Sequence, residues 1–196
     1  EVTITITGVN DNPIANNDQA STVENSKAIT VDVLANDTDV DRTDTHTLNS
    51  VSFAAGAASI IGNDLVWDQG SDFDYLAEGE STTVIGSYSI SDNNGGSSTG
   101  QVEITVVGAN DAPLANTDSG QTDSDTPTLL NVLANDSDRD TTDVLSISEA
   151  SSTSGGTVSI VNNQLQFDPA GQFNYLTRGQ IEEVTLLYSV SDGNGG

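Results

Sequence analysis

Cysteine is absent from the 196 residues. Disulfides, thiolate metal sites and a cysteine nucleophile are thereby excluded. Basic side chains are almost missing: Lys27, Arg42, Arg139 and Arg178 stand against 30 acids, for a formal charge of −26. A surface of that sign repels nucleic acid and anionic lipid, so neither is an expected partner. His46 is the lone histidine, which leaves little for a zinc centre of the usual His-rich kind. No apolar run approaches the roughly 20 residues of a membrane span, and no signal peptide is visible. Membrane insertion is therefore not expected. Aromatics are thin: four Phe, four Tyr and one Trp.

What is present is a repeat. "GVNDNPIANND" at 8–18 returns as "GANDAPLANTD" at 108–118, and "IIGNDLVWD" at 60–68 as "IVNNQLQFD" at 160–168. "FDYLAEGE" at 73–80 returns as "FNYLTRGQ" at 173–180, and "YSISDNNGG" at 88–96 as "YSVSDGNGG" at 188–196. The offset is 100, slipping to 99 around the acidic loops. Inside each copy apolar residues alternate, as in Val2-Ile4-Ile6, Ile29-Val31-Val33 and Val184-Leu186-Tyr188-Val190. That period of two predicts half-buried strands separated by Gly/Asn turns. No stretch shows a helical period.

The fold class expected is all-β, with tandem immunoglobulin-like sandwiches of about seven strands each. Residues 1–13 read as the closing strand of a preceding repeat plus linker, 14–108 as a complete first repeat, and 109–196 as linker plus a second repeat lacking its last strand. Because the chain opens in mid-strand, it reads as an excerpt of something longer. An unclosed sheet edge predicts strand exchange between molecules, with residues 1–7 of one filling the gap in another.

"VLANDTDVD" at 33–41 and "VLANDSDRD" at 132–140 each put three aspartates into their last five positions. Such crowding suits calcium, which takes six to eight oxygen ligands. An EF-hand does not fit: starting its loop at Asp37 places Arg42 where glycine belongs and Leu48 where glutamate belongs. The ligands must come from separate parts of the chain, or else Asp37, Asp39, Asp41 and Asp44 form a local site within one unit.

"TVENSKAITVDVLANDTD" is similar to the cadherin pattern of a glutamate, a strand and Ala-x-Asp-x-Asp. "SISDNNGG" followed by "VEITVVGANDAP" is similar to the cadherin ending of an aspartate turn, a last strand and an Asn-Asp linker. Over nearly its whole length the chain resembles the cadherin-like, VCBS-type tandem repeats of large RTX, type I-secreted bacterial surface adhesins. The resemblance implies calcium between successive repeats, held by Glu24, Asn110, Asp111, Asp136, Asp138 and Asp192. At the preceding junction it implies Asn10, Asp11, Asp37, Asp39 and Asp92. There are departures from the family pattern. Gly8 and Gly108 replace the aspartate that opens the cadherin linker, and Asp123 takes the place of Glu24 in the second repeat.

The function this implies is a non-catalytic stalk on the bacterial cell surface. It would be stiffened by Ca2+, with neighbouring repeats as its partners, and would hold a terminal adhesive domain outward. The alternative is a module that itself recognises carbohydrate or a like repeat, which the thin aromatic supply does not favour. An enzyme has no support: Leu145 stands where a catalytic histidine would have to recur, and no serine sits in a nucleophile elbow. Trp67 and its counterpart Phe167 read as core aromatics, and Tyr75 and Tyr175 as loop-anchoring corner residues.

Overall fold

The structure is a computed structural model that describes residues 1–195. Gly196, the last residue of the second repeat as read from the sequence, lies outside them. The chain divides into unit 1, Glu1–Ala109, and unit 2, Asn110–Gly196.

Unit 1 is a seven-stranded sandwich: β1 (Asp18–Val23), β2 (Ile29–Val31), β3 (Thr47–Phe53), β4 (Ala57–Ile61), β5 (Asp64–Asp68), β6 (Ser81–Ser91) and β7 (Ser97–Val107). One sheet runs β1-β7-β6-β3 and the other β2-β5-β4. The period of two in the sequence is what closes them. Along β6 and β7, Val84, Tyr88, Ile90, Val102, Ile104 and Val106 point inward and are buried, while Ile85, Ser87, Gln101 and Glu103 point out. They meet Leu65 and Trp67 of β5, with Val33 and Leu48, in one core. Trp67 is fully buried, tilted between Phe53 and Phe73 at centroid distances of 5.9 and 5.8 Å. Its Nε1–H donates to the Ala55 carbonyl at 3.2 Å, so the ring's one polar atom is satisfied. β6 and β7 form a long antiparallel hairpin that turns at Asp92, and β1 lies parallel to β7.

Among the described residues unit 2 repeats the plan with five strands: β8 (Thr128–Leu130), β9 (Ser146–Ser152), β10 (Thr157–Val161), β11 (Gln164–Asp168) and β12 (Leu186–Ser191). They pair as β10-β11-β8 and β12-β9 around Val132, Ile147 and Leu165. Among the described residues none takes the place of β7 beside β12. β12 accordingly spans 6 residues where β6 spans 11, and 118–123, the counterpart of β1, forms no strand. Tyr188 and Val190 are half-buried where Tyr88 and Ile90 are buried. The expectation of about seven strands thus describes unit 1 in full and unit 2 less its two strands on that side. Residues 1–7 are exposed and form no strand, with Val2, Ile4 and Ile6 at 88%, 79% and 91% exposure.

Among the described residues no helix is long and apolar enough to cross a membrane.

Candidate metal centre

In unit 1 the acidic loop between β2 and β3 is shaped by its own aspartates. The Asp41 N–H donates to Asp39 Oδ1 at 2.9 Å, and the Asp44 N–H to the Asp41 carbonyl at 3.0 Å. Aspartate favours such side-chain-to-backbone turns. The loop is held on one side by a two-bond bridge between Ile14 and Thr38, at 2.7 and 3.1 Å. On the other side Asn63, in the β4–β5 turn, donates to the His46 carbonyl at 3.0 Å and accepts the Leu48 N–H at 2.8 Å. The linker completes it: the Asp11 N–H donates to Asp41 Oδ2 at 2.7 Å.

Asp92 arrives from the β6–β7 turn. Its Oδ1 accepts the N–H groups of Asn94, Gly95 and Gly96 at 2.7, 3.0 and 2.9 Å. Its Oδ2 accepts the Asn10 carboxamide at 2.8 Å. The Asn10 bond, followed by the backbone donors, holds the Asp92 carboxyl below its ordinary range against the opposing effect of burial. The result is a trio, Asp39, Asp44 and Asp92, each offering a carboxylate oxygen within 4.8 Å of the others. The Asp39 side chain is 4% exposed, and its Oδ2 has no hydrogen-bond partner.

Unit 2 rebuilds the same centre from Asp138, Asp143 and Asp192, again within 4.8 Å. The loop and linker contacts recur. The Asp140 N–H donates to Asp138 Oδ1 at 3.1 Å, the Asp111 N–H to Asp140 Oδ2 at 2.8 Å, and the Asn110 carboxamide to Asp192 Oδ2 at 3.0 Å. Asn163 clamps the Leu145 carbonyl and the Ile147 N–H at 3.0 and 2.8 Å. Asp140 is 1% exposed, with Oδ1 lacking a hydrogen-bond partner. Burial, and then the charges of Asp138, Asp111 and Asp143, push its carboxyl above the ordinary range. Asn110 Oδ1 and Asp138 Oδ2 are also buried with no hydrogen-bond donor. Oxygens without donors, converging from loop, linker and turn, suit a hard dication and give a proton-poor protein little else to do with them.

Of the residues named from the sequence, the structure gathers Asp39 and Asp92 with Asn10 and Asp11, and Asp138 and Asp192 with Asn110 and Asp111. Asp37 and Asp136 stand outside the two trios. Asp37 Oδ1 accepts the Asn16 N–H at 2.7 Å and the Tyr88 hydroxyl at 3.1 Å. Asp136 accepts the Asn116 N–H at 2.7 Å and the Tyr188 hydroxyl at 3.3 Å. Burial, then the neighbouring carboxylates, keeps both hydroxyls protonated far above the usual tyrosine range. These tyrosines also reach the Asn16 and Asn116 carbonyls and so anchor the loop. Tyr75 and Tyr175 are 43% and 63% exposed. Glu24 is 2% exposed, and its Oε1 accepts the Ala109 N–H at 2.7 Å. It follows Val23, which pairs with Val107 at the end of β7 away from Asp92. Asp123, its counterpart, is exposed.

Asp143 and Asp140 were missed from the sequence, and Asp44 entered only through the local-site alternative. The repeat offset was the available signal, since 99 residues carry Asp44 onto Asp143 and Asp41 onto Asp140.

Fold and site together define a tandem immunoglobulin-like module, each copy carrying a three-carboxylate cluster. The chain belongs to the bacterial Ig domain family, whose model matches residues 10–105 and 110–196. No curated protein matches. Among solved structures, the chain is similar to EC1-2 of human mucin-like protocadherin, at 19% identity and a TM-score of 0.49, covering 91% of this chain and 95% of that one. It is also similar to EC22-24 of mouse cadherin-23, at 15% identity and a TM-score of 0.49, covering 93% and 66%.

Proposed function

We propose that these repeats are non-catalytic extender modules of a bacterial cell-surface adhesin, and that each binds calcium at its three-carboxylate centre. The observation that carries this is duplication. Two copies that differ at most surface positions keep the same three carboxylates, the same linker amide and the same linker N–H contact. An active site has no reason to recur in every repeat, whereas a mechanical device does. Asp39, Asp44 and Asp92, with Asp138, Asp143 and Asp192, supply the ligands. Asn10, Asp11, Asn110 and Asp111 tie the linker to them, and Glu24, Asp37 and Asp136 stand as further carboxylates around the repeat.

A bound dication discharges the repulsion of a chain at −26 and fixes loop, linker and turn to one another. Extracellular modules bind calcium at about 10⁻⁴–10⁻³ M. At roughly 100 times the dissociation constant a site contributes about 2.7 kcal/mol to stability. Calorimetric titration tests the reading. Calcium should bind with a stoichiometry of at least about one ion per unit, and Asp44→Asn with Asp143→Asn should abolish it. No binding heat, together with a melting temperature indifferent to chelator, would refute it.

A second reading concerns self-association. Among the described residues β12 pairs with β9 on one side only, and the exposed Val2-Ile4-Ile6 segment repeats the alternation of β7. Residues 1–7 of one copy are proposed to pair with β12 of another. Sedimentation should then show concentration-dependent dimers that Ile4→Pro eliminates, and a monomer at all concentrations would dismiss the idea. Carbohydrate recognition gains no comparable support. A groove of about 360 Å³ is lined by Asn17, Asp18, Gln19, Asn36, Ile85, Gln101 and Glu103, without an aromatic platform.

A further inference from the structure

The two centres share their carboxylates but not what holds the third of them. In unit 2 the Asn194 carboxamide donates to Asp143 Oδ2 at 2.9 Å, from the turn after β12 to the loop before β9. In unit 1 the counterpart Asn94 makes no such bond: Asp44 Oδ2 is buried with no hydrogen-bond partner. The neighbouring residue takes the loop instead. The Asn93 carboxamide donates to the Thr45 carbonyl at 3.0 Å and to Thr47 Oγ1 at 2.8 Å. Those contacts fall one and three residues past Asp44, so they fix the loop without touching the carboxylate.

Unit 2 has no counterpart of that anchor. Gly193 stands where unit 1 has Asn93, and Val144 where it has Thr45. Asparagine and glycine both suit the place, because the backbone there is left-handed, at φ +68° for Asn93 and +89° for Gly193. Glycine, however, has no carboxamide. The contact from turn to loop has moved one residue along the turn, and in moving it has passed from the loop's own framework to a carboxylate of the trio.

Asn194 is itself held in place. Its N–H and that of Gly195 donate to Asp192 Oδ1 at 2.7 and 3.1 Å. One residue thus ties two of the three carboxylates together, Asp192 through its backbone and Asp143 through its side chain. A donor on an ionised oxygen makes one of the stronger hydrogen bonds, and it restricts the Asp143 side chain before any ion arrives.

We infer that Asn194 is a positioning residue of the unit 2 centre, aiming the Asp143 carboxylate at the cation, and that Asn94 has no such role in unit 1. The inference rests on the reading of both trios as cation centres.

The test uses the whole chain with one centre silenced at a time, Asp44→Asn to isolate unit 2 and Asp143→Asn to isolate unit 1. Calcium is titrated by calorimetry, and hydrogen exchange of the Gly195 amide reports the turn. Asn194→Ala deletes the carboxamide and keeps the N–H on Asp192. It should weaken calcium in unit 2 by about tenfold, the scale of a lost orienting partner, while Gly195 stays as protected in chelator as in the parent. The loss should exceed that from Asn94→Ala in unit 1 by a similar factor. Adding Gly193→Asn to Asn194→Ala supplies the anchor of unit 1 and should recover most of the affinity; no recovery would make Asn194 a ligand in its own right and overturn the inference. If Asn194→Ala binds calcium as tightly as its parent, or Asn94→Ala costs unit 1 as much, the inference falls while the calcium reading stands. If affinity and Gly195 protection are lost together, Asn194 holds the turn rather than the carboxylate, and the inference falls again. If the parent chain binds no calcium at unit 2, both readings fall together.

Discussion

The carboxamide of Asn10 donates to the carboxylate of Asp92 across 82 residues of chain, at 2.8 Å. Asn110 and Asp192 repeat the relationship at 3.0 Å. A linker residue thereby orients a turn residue, and the turn's carboxylate is aimed at the acidic loop. Asn110→Ala removes the donor but no carboxylate. Calcium affinity of unit 2 should fall by about tenfold, as expected when a ligand's orienting partner is lost, with unit 1 unaffected. Calorimetry that resolves two classes of site in the variant and one in wild type would bear this out; identical isotherms would count against it.

Gly96 gives a steric version of the same experiment. A Cβ there would stand 2.1 Å from Asp92 Oδ2 and 2.8 Å from Asn12 Oδ1. No rotamer change relieves both, because Asp92 is already fixed by three backbone donors. Gly96→Ala should displace Asp92 from the trio and lower both the calcium affinity and the melting temperature of unit 1. Gly95→Ser puts a side chain in open space and makes the control for turn strain alone, since Gly95 sits at φ +115°. The prediction fails if both substitutions weaken calcium equally.

The Tyr88 hydroxyl links β6 to the Asn16 carbonyl and Asp37. Tyr88→Phe keeps the buried ring and deletes the anchor. A lost buried hydrogen bond costs about 1–2 kcal/mol, which is about 5–10 °C in the melting temperature of a domain this size. Because Asp37 stands outside the trio, calcium affinity should change little. A loss of calcium affinity as large as that of Asp44→Asn would instead put Asp37 in the centre.

These three substitutions also mark what could be read from the sequence. Alternation of Val, Ile and Tyr with Ser, Thr and Glu made the strands legible, and the repeat made the units legible. The linker Asn-Asp pair and the Asp-x-Asp loop pointed to the end of each unit where the three carboxylates cluster. The trio's third member could not be read the same way. Asp44 lies on an irregular loop, where no periodicity tells which carboxylates face one another; only turn geometry, set by the Asp41–Asp44 backbone bond, decides it. Tyr75 and Tyr88 are alike in type and differ in what lies across from them. That depends on β6 passing beside the 13–18 segment, a contact of high sequence separation. β1 pairing in parallel with β7 is hidden for the same reason.

Removing the metal should change how stability responds to acid. Burial holds the carboxyls of Asp140 and Asp18 above the ordinary 3.8. Between 3.8 and those raised values the folded chain binds more protons than the unfolded one, so stability increases as pH falls. The penalty is fully present above the folded values and is gone below 3.8. Asp92 works the other way: its carboxyl titrates below 3.8, so its contribution is present above 3.8 and lost as pH falls through the depressed value. In chelator the melting temperature should therefore rise as pH falls through the raised values toward 3.8 and drop beneath that. Relief of repulsion in a chain at −26 acts in the same direction over the upper range. Calcium should flatten the upper limb, because the ion stabilises the same carboxylates that protons otherwise neutralise, and acid should release it. Asp140→Asn should raise the neutral-pH melting temperature of the chelated protein and remove part of its slope. A chelated protein whose stability falls steadily from pH 7 downward would show that these carboxyls are already satisfied without a cation, and would remove the reason for placing one among them.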